Sequence, residues 1–397
     1  MNAWGLALRN IKGSSFRSVI IFLCVMGVAG FFLSTTLLIR GAEHSLNAGL
    51  ERLGADIIVV PSGAETKIET ALLMGKPTQI WMSTSKLDKV AVVPGVAEVS
   101  PQIYLNSLYG ASCCAVSEMF LVVFDPQTDF TIRPWLERRL GRDLLPNEVI
   151  GGSYVFTPPG EQYITLYGHH LTLKGNLEAT GTGLDQTLFM TVETAQDMAL
   201  TSLTEAEEPL VIQPGLVSAI MVKVLPGADA HKVTQQILLD VLGVVPIESP
   251  SLFGTYRQQM TGLLWGFLAV LCIGWALCMA LIGLIFSMAA NERRREISVL
   301  RALGASRGYV FQSLLSEVGL IAVAAAILGI VLAAFGIYLF RDFITGAMGI
   351  PFLFPSLSSF MTLFLAGVLL ALATVTLAAL LPALRISRQE PALAMRE

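Results

Sequence analysis

The stretch Asn291-Glu292-Arg293-Arg294-Arg295-Glu296-Ile297-Ser298-Val299-Leu300-Arg301-Ala302-Leu303-Gly304-Ala305 decides the fold, because it places a dense cluster of charge between two long apolar runs. A polar segment of this kind leaves the lipid on the side that favours arginine, so it sets topology and offers a contact surface at once. It reads as a cytoplasmic loop. The composition agrees: apolar residues make up 54% of the chain, charged residues 14%, and the mean hydropathy is +0.66. These values exclude an ordinary soluble globular protein.

A hydrocarbon core needs roughly 20 apolar residues. Four runs reach that length, at 19–39, 263–290, 318–340 and 360–381. Positive charge sorts them. Arg9, Lys12 and Arg17 precede the first, Arg293, Arg294, Arg295, Arg301 and Arg307 lie between the second and third, and Arg385, Arg388 and Arg396 follow the fourth. Cytoplasmic placement of these groups puts both termini inside, with 1–18 and 382–397 as short cytoplasmic segments and 291–317 as the loop. The insert 40–262 and the short link 341–359 are then extracytoplasmic. The net charge of -4 averages an acidic outer part with a basic inner rim, and gives no reason to expect nucleic acid. A cleaved signal peptide would have an apolar middle of roughly 7 to 15 residues. The first run is longer and no small-x-small site follows Ile39, so a retained helix is expected, continuing through Gly41 to Leu53.

Within the insert, Ala55 to Pro61 is a β-branched run closed by proline, Ser85 opens a short helix as its N-cap, and Val96 to Tyr104 is a strand. Toward its end Ala219 to Val224 and Val244 to Glu248 are strand-like, and Asp229 to Leu242 is helical. Strands flanking helices define an α+β domain assembled from the start and end of the insert. The middle carries short glycine-punctuated strands at Tyr163–Leu166, His170–Lys174 and Leu188–Val192, which read as a β-rich subdomain over 107–191. The fold class is therefore an α+β membrane protein, four transmembrane helices with a large outer domain between the first and second.

The run Glu292 to Ser306, with Glu317 at the inner edge of the third span, resembles the signature loop of MacB/FtsX/LolCE-type ABC transporter permeases. The closing stretch Leu381-Pro382-Ala383-Leu384-Arg385-Ile386-Ser387-Arg388-Gln389-Glu390-Pro391-Ala392-Leu393-Ala394-Met395-Arg396 is similar to that family's last motif, with Ile386 where a small residue is usual. The resemblance covers the whole order of parts. It implies a bacterial inner-membrane homodimer docked on two copies of a cytoplasmic ATPase, which would hold ATP and Mg, with Glu292, Arg293, Arg294, Arg295, Glu296, Arg301 and Gly304 forming the contact. Independently, no G-x-x-x-x-G-K-[ST] phosphate loop occurs in the chain, so energy is expected to come from a partner and no catalysis from this subunit.

Ala325-x-x-x-Gly329-x-x-x-Ala333 sets three small residues on one face of the third span, suited to close helix contact within one protomer or between two. No span carries the series of ionisable residues that marks an ion pathway. Cys24, Cys272 and Cys278 fall in spans and read as small apolar residues, whereas Cys113-Cys114 lies in the outer insert. A ring disulfide, a bridge to a partner, a soft-metal site and two buried thiols all stay open for that pair. Met119, His169, His170 and Met190 are the other candidate metal ligands, without diagnostic spacing. Asp125, Asp129 and Arg133 could together hold a polar ligand, but Asp125 to Leu136 reads first as a proline-bounded turn with an aspartate cap and Trp135 as anchor. With the cysteine pair, this segment resembles permeases encoded beside periplasmic iron-uptake and thioredoxin-like proteins. Gly181-Thr182-Gly183-Leu184-Asp185 lacks the strand-to-helix setting of a phosphate loop and is expected as a turn.

Three functions compete. The first is the permease subunit of an ATP-driven exporter or extractor, with cargo and a homo- or heterodimeric state left open. The second is a mechanotransmitting device that activates a periplasmic protein partner. The third is a membrane thiol or metal enzyme using Cys113 and Cys114, for which neither a Cys-x-x-Cys motif nor a placed general base is evident.

Overall fold

The computed structural model describes residues 15–106, 119–157, 160, 162–292, 306–346 and 351–387. The chain divides into a helical unit, 1–40 with 260–341 and 354–397, and a sheet unit, 41–259 with 342–353.

One unbroken 39-residue helix, α1 (Ser15–Leu53), opens the described chain. It outlasts its apolar run because nothing interrupts the backbone ladder until Gly54, whose φ of +63° stops it. Next come β1 (Ile57–Pro61), α2 (Glu65–Met74), the two-residue β2 (Met82–Ser83), α3 (Ser85–Ala91) and β3 (Val96–Asn106). After these follow β4 (Phe120–Phe124), α4 (Arg133–Leu140), β5 (Glu148–Gly151), β6 (Ile164–Leu166), β7 (His169–Asn176), a 3-10 turn at Gly183–Gln186 and β8 (Thr187–Thr191). The sheet unit continues through α5 (Val192–Glu205), β9 (Leu216–Val217), β10 (Ala219–Val224), α6 (Ala230–Asp240), β11 (Val244–Glu248) and the one-turn α7 (Ser249–Leu252).

Nine of these strands form one sheet in the order β11-β1-β10-β3-β4-β8-β5-β7-β6, and β2 pairs separately with β9. Strands from the two ends of the insert interleave: β1 lies antiparallel between β10 and β11, and β10 pairs with β3. The strands of the middle segment do not form a sheet of their own. β4 joins β3 in antiparallel register from Gln102↔Phe124 to Asn106↔Phe120, and β8 joins β4 in parallel. Backbone groups on the open edge of β3 are satisfied by this pairing, so the sheet runs on across the expected subdomain border.

Alternation along the strands sorts side chains to the two faces. Ile58 and Val60 enter the apolar cluster with Ile68 and Leu72 of α2, Leu136 of α4, and Leu46 and Leu53 of α1, while Ile57 and Val59 enter the cluster with Val90 of α3 and Val233 and Ile237 of α6. Further along the sheet, Phe120, Val122 and Phe124 join the first cluster, and Leu121 and Val123 pack with Ala195 and Met198 of α5. One expected cap differs: Thr84, not Ser85, is the N-cap of α3 and gives no side-chain cap, and Ser85 Oγ instead meets Ser83 Oγ at 2.9 Å.

The helical unit contains the N-terminal part of α1 and three further helices, α8 (Gly254–Glu292), α9 (Arg307–Gly346) and α10 (Leu357–Ser387). Among the described residues four segments are long and apolar enough to cross a membrane, Phe16–Leu53, Thr261–Met288, Leu315–Arg341 and Leu357–Leu380. Helix α9 starts inside the segment expected as a loop over 291–317. Ser306 Oγ accepts the Tyr309 N–H at 3.2 Å and so caps a polar first turn that apolarity alone does not mark. Ala325, Ala326 and Ile330 of α9 pack with Val25, Ala29 and Leu33 of α1 and with Ala371 and Val375 of α10. Gly329 belongs to that same face: a Cβ there would lie 2.3 Å from the Met26 carbonyl oxygen, and one at Gly30 would lie 3.0 Å from the Gly329 carbonyl oxygen. The small-residue stripe thus brings α9 against α1 within one protomer.

Candidate functional site at the end of the first helix

The last three turns of α1 belong to the sheet unit, and their side chains meet the loop that links β7 to β8. Ser45 Oγ donates to the Thr180 carbonyl at 2.6 Å. Gly49 faces Thr182, whose Cγ2 would touch an added Cβ at 3.0 Å. Arg52 Nη2 donates to the Glu178 carbonyl, and the guanidinium lies 4.7 Å from the centre of the Trp135 ring. Arg138 takes a second position over that ring at 4.2 Å, so the anchor residue of α4 is shared by two cations.

Asp185 organises the loop from within. Fully buried, its carboxylate accepts from Thr180 N and Thr180 Oγ1 at 2.8 and 2.9 Å and from Gly181 N at 2.6 Å. Burial pushes its pKa up, while these donors and the nearby Arg52 pull against that shift. The loop also receives the chain ahead of α10. Phe352 N donates to the Gly181 carbonyl at 3.3 Å, and Leu353 N to the Gly41 carbonyl of α1 at 3.2 Å. Gly181 is needed here twice over: its φ is +70°, and a Cβ would lie 2.4 Å from the Phe352 carbonyl oxygen. One short loop therefore joins the end of α1, the lead-in to α10 and, through α4, the central sheet.

Among the residues expected to contact an ATPase, only Glu292 is described. It closes α8, and its Oε2 lies 2.8 Å from Arg17 Nη1 near the start of α1. Arg293, Arg294, Arg295, Glu296, Arg301 and Gly304 lie outside the described residues, as do Cys113 and Cys114. The remaining metal candidates do not converge. Adjacent positions on β7 send His169 and His170 to opposite faces. His169 engages Thr201 Oγ1 at 2.9 Å and Asn147 Oδ1 at 2.8 Å, one through each ring nitrogen, and burial lowers its pKa. His170 Nδ1 meets Thr165 Oγ1 at 3.0 Å on the exposed side. Met119 and Met190 are packed in the apolar cluster under α5. Among the described residues no group of three or more His, Cys, Asp or Glu is placed to hold a metal ion.

Asp125, Asp129 and Arg133 do not form a ligand triad either. Asp125 accepts from Gln127 N at 3.0 Å, Asp129 caps the start of α4 through Ile132 N and Arg133 N at 2.7 and 2.8 Å, and the Arg133 side chain turns to Glu137 and Asp143. The segment is a capped turn, in keeping with its sequence. Arg52 and Glu178 escaped sequence reasoning, because 126 residues separate them and neither sits in a motif.

Among the described residues four helices are long and apolar enough to cross a membrane, and the sheet-bearing insert lies between the first and second in sequence. Residues 268–391 match the family described as FtsX-like permease C-terminal. The matched segment contains the charged loop 291–305 and the start of the closing stretch, and spans less than a third of the chain. The chain is also similar to the periplasmic region of MacB from Actinobacillus actinomycetemcomitans, at 10% identity over 52% of this chain and 94% of that one, with a TM-score of 0.31. The extracellular domain of the noncanonic ABC-type transporter YknZ from Gram-positive bacteria is similar at 11% identity over 49% and 99%, with a TM-score of 0.27. No curated protein matches the chain.

Proposed function

We propose that this chain is the permease subunit of an ATP-driven transporter that couples hydrolysis in a separate cytoplasmic ATPase to movement of its extracytoplasmic sheet unit. The observation that carries this reading is the continuity of α1: one helix begins beside Arg17, paired to Glu292 at the end of α8, and ends in the Ser45, Gly49 and Arg52 contacts with the loop 177–187. A shift of α1 along or about its axis acts on that loop directly, since close-packed contacts transmit displacement rather than absorb it. The loop arginines and Glu292, Glu296 then dock on acidic and basic groups of the ATPase through charge-assisted hydrogen bonds, with both termini cytoplasmic.

A second copy of the chain fits the same reading. Only 6% of the most apolar window of α8 is buried, against 33–39% for the other three membrane helices, which leaves α8 as the free face for pairing. Purifying the chain with its candidate ATPase and measuring ATP hydrolysis tests the central claim. Replacing Glu292, Arg295 and Glu296 together abolishes the permease-dependent part of hydrolysis while insertion is unchanged. Hydrolysis that ignores those substitutions removes the coupling role.

A further inference from the structure

Helix α5 and the strap behind it carry a surface that the coupling path does not use. Over α5 and the strap, residues 192–215, the sequence holds five carboxylate residues and no lysine or arginine. Helix α5 buries Ala195, Met198 and Ser202 against the sheet, and Ser202 Oγ accepts the Leu210 N–H at 2.9 Å, which lays the strap 206–215 beside the helix. Away from that buried stripe, Leu200 and Leu203 are 67% and 68% exposed, and Val211 on the strap is 63% exposed. Glu193, Glu205, Glu207 and Glu208 are exposed around them. At the first turn of α5 a cavity of about 410 Å³ opens between helix, strap and sheet, walled by Val123, Val192, Ala195 and Ile212, with Gln196 and Asp125 among its polar lining.

We propose that this surface docks a basic, apolar-faced helical segment of an extracytoplasmic protein, with one apolar side chain of that segment entering the cavity. The inference rests on reading the sheet unit as extracytoplasmic and names the partner chemistry for it. Fourteen residues make α5 about 21 Å long, enough to lie against four turns of a partner helix. Spaced apolar anchors on such a helix match Leu200, Leu203 and the cavity, as in helix-in-groove recognition. Charge selects the occupant. A second copy meeting this patch face to face would set carboxylate against carboxylate, whereas lysines or arginines flanking an apolar stripe are attracted. A small molecule in the cavity would leave Leu200, Leu203 and Val211 uncovered.

The test uses the full chain in neutral detergent with two labelled synthetic amphipathic helices, one of leucine and lysine, the other of leucine and glutamate. Fluorescence anisotropy is expected to show the lysine peptide binding at least about tenfold tighter, with affinity falling as salt rises. Three variants with unchanged melting temperature, L200S/L203S, E207K/E208K and Q196W, each weaken that binding by about tenfold or more. Binding unchanged in any of the three, or equal binding of the glutamate peptide, overturns the assignment. The same preparations are scored for stimulation of the partner ATPase. Stimulation that persists beside failed peptide docking removes the surface and keeps the permease reading. Peptide docking as expected with no stimulation keeps the surface and removes the permease reading.

Discussion

Asp185 is the residue on which the loop at the end of α1 is organised, since one buried carboxylate satisfies two backbone N–H groups and a hydroxyl. Asp185→Ala leaves those donors buried and unpaired, which costs about 1–3 kcal/mol. The expected result is a lower denaturation midpoint for the chain and weaker coupling, because Thr180 and Gly181 lose the geometry that receives Ser45 and Phe352. Denaturant unfolding of the D185A chain checks it. Glu148 gives a pH-dependent case. Its hydrogen bonds to Arg142, at 2.6 Å, and to Leu145 N and Lys174 hold its pKa down at about 2. A depressed folded-state pKa contributes stability above the unfolded value near 4.5 and loses it as pH falls toward 2. Melting of wild type and Glu148→Gln is therefore expected to differ most above pH about 5 and to converge toward pH about 2. At this scale the sequence was informative where a residue acts on near neighbours: the Asp129 cap of α4 follows from the turn chemistry around it. It was silent on Arg52 and Glu178, which meet across 126 residues.

Among the elements, the contact of α1 with α9 is the one most sharply limited by backbone approach. Gly329→Val forces a side chain into the Met26 backbone and is expected to destabilise the helical unit by about 1–3 kcal/mol. Gly27→Ala serves as the control, because an added Cβ there meets nothing within 4 Å. Thermal unfolding in detergent separates the two variants, and equal behaviour would deny that Gly329 sets the crossing. The small-residue spacing on α9 was evident in the sequence, but whether it served one protomer or two was not. Spacing defines a face of a helix and leaves its partner open. Strand positions were readable from β-branched runs and turn residues, whereas the junction of β3 with β4 depended on pairing between edges that no local pattern encodes.

At the scale of the whole molecule, the little-buried α8 predicts how two copies would meet. Cys272 is exposed on that helix. A chain retaining Cys272 as its sole cysteine is expected to form an oxidised dimer in membranes, read as a band of doubled mass on a non-reducing gel. A single cysteine placed at Ala325, which is fully buried, is expected to give none. Cross-linking at Ala325 but not at Cys272 would place the pairing face elsewhere.

The sequence by itself determined the four membrane helices, the basic segments that flank them and the α+β character of the insert, because lipid and strand periodicity act on residues close together in the chain. Tertiary structure alone decided that the insert builds one nine-stranded sheet, that Gly329 closes on Met26, and that the loop 177–187 receives both the end of α1 and the lead-in to α10. These depend on steric fit and hydrogen-bond satisfaction between segments remote in sequence, where the identity of the partner, and not the local pattern, sets the energy.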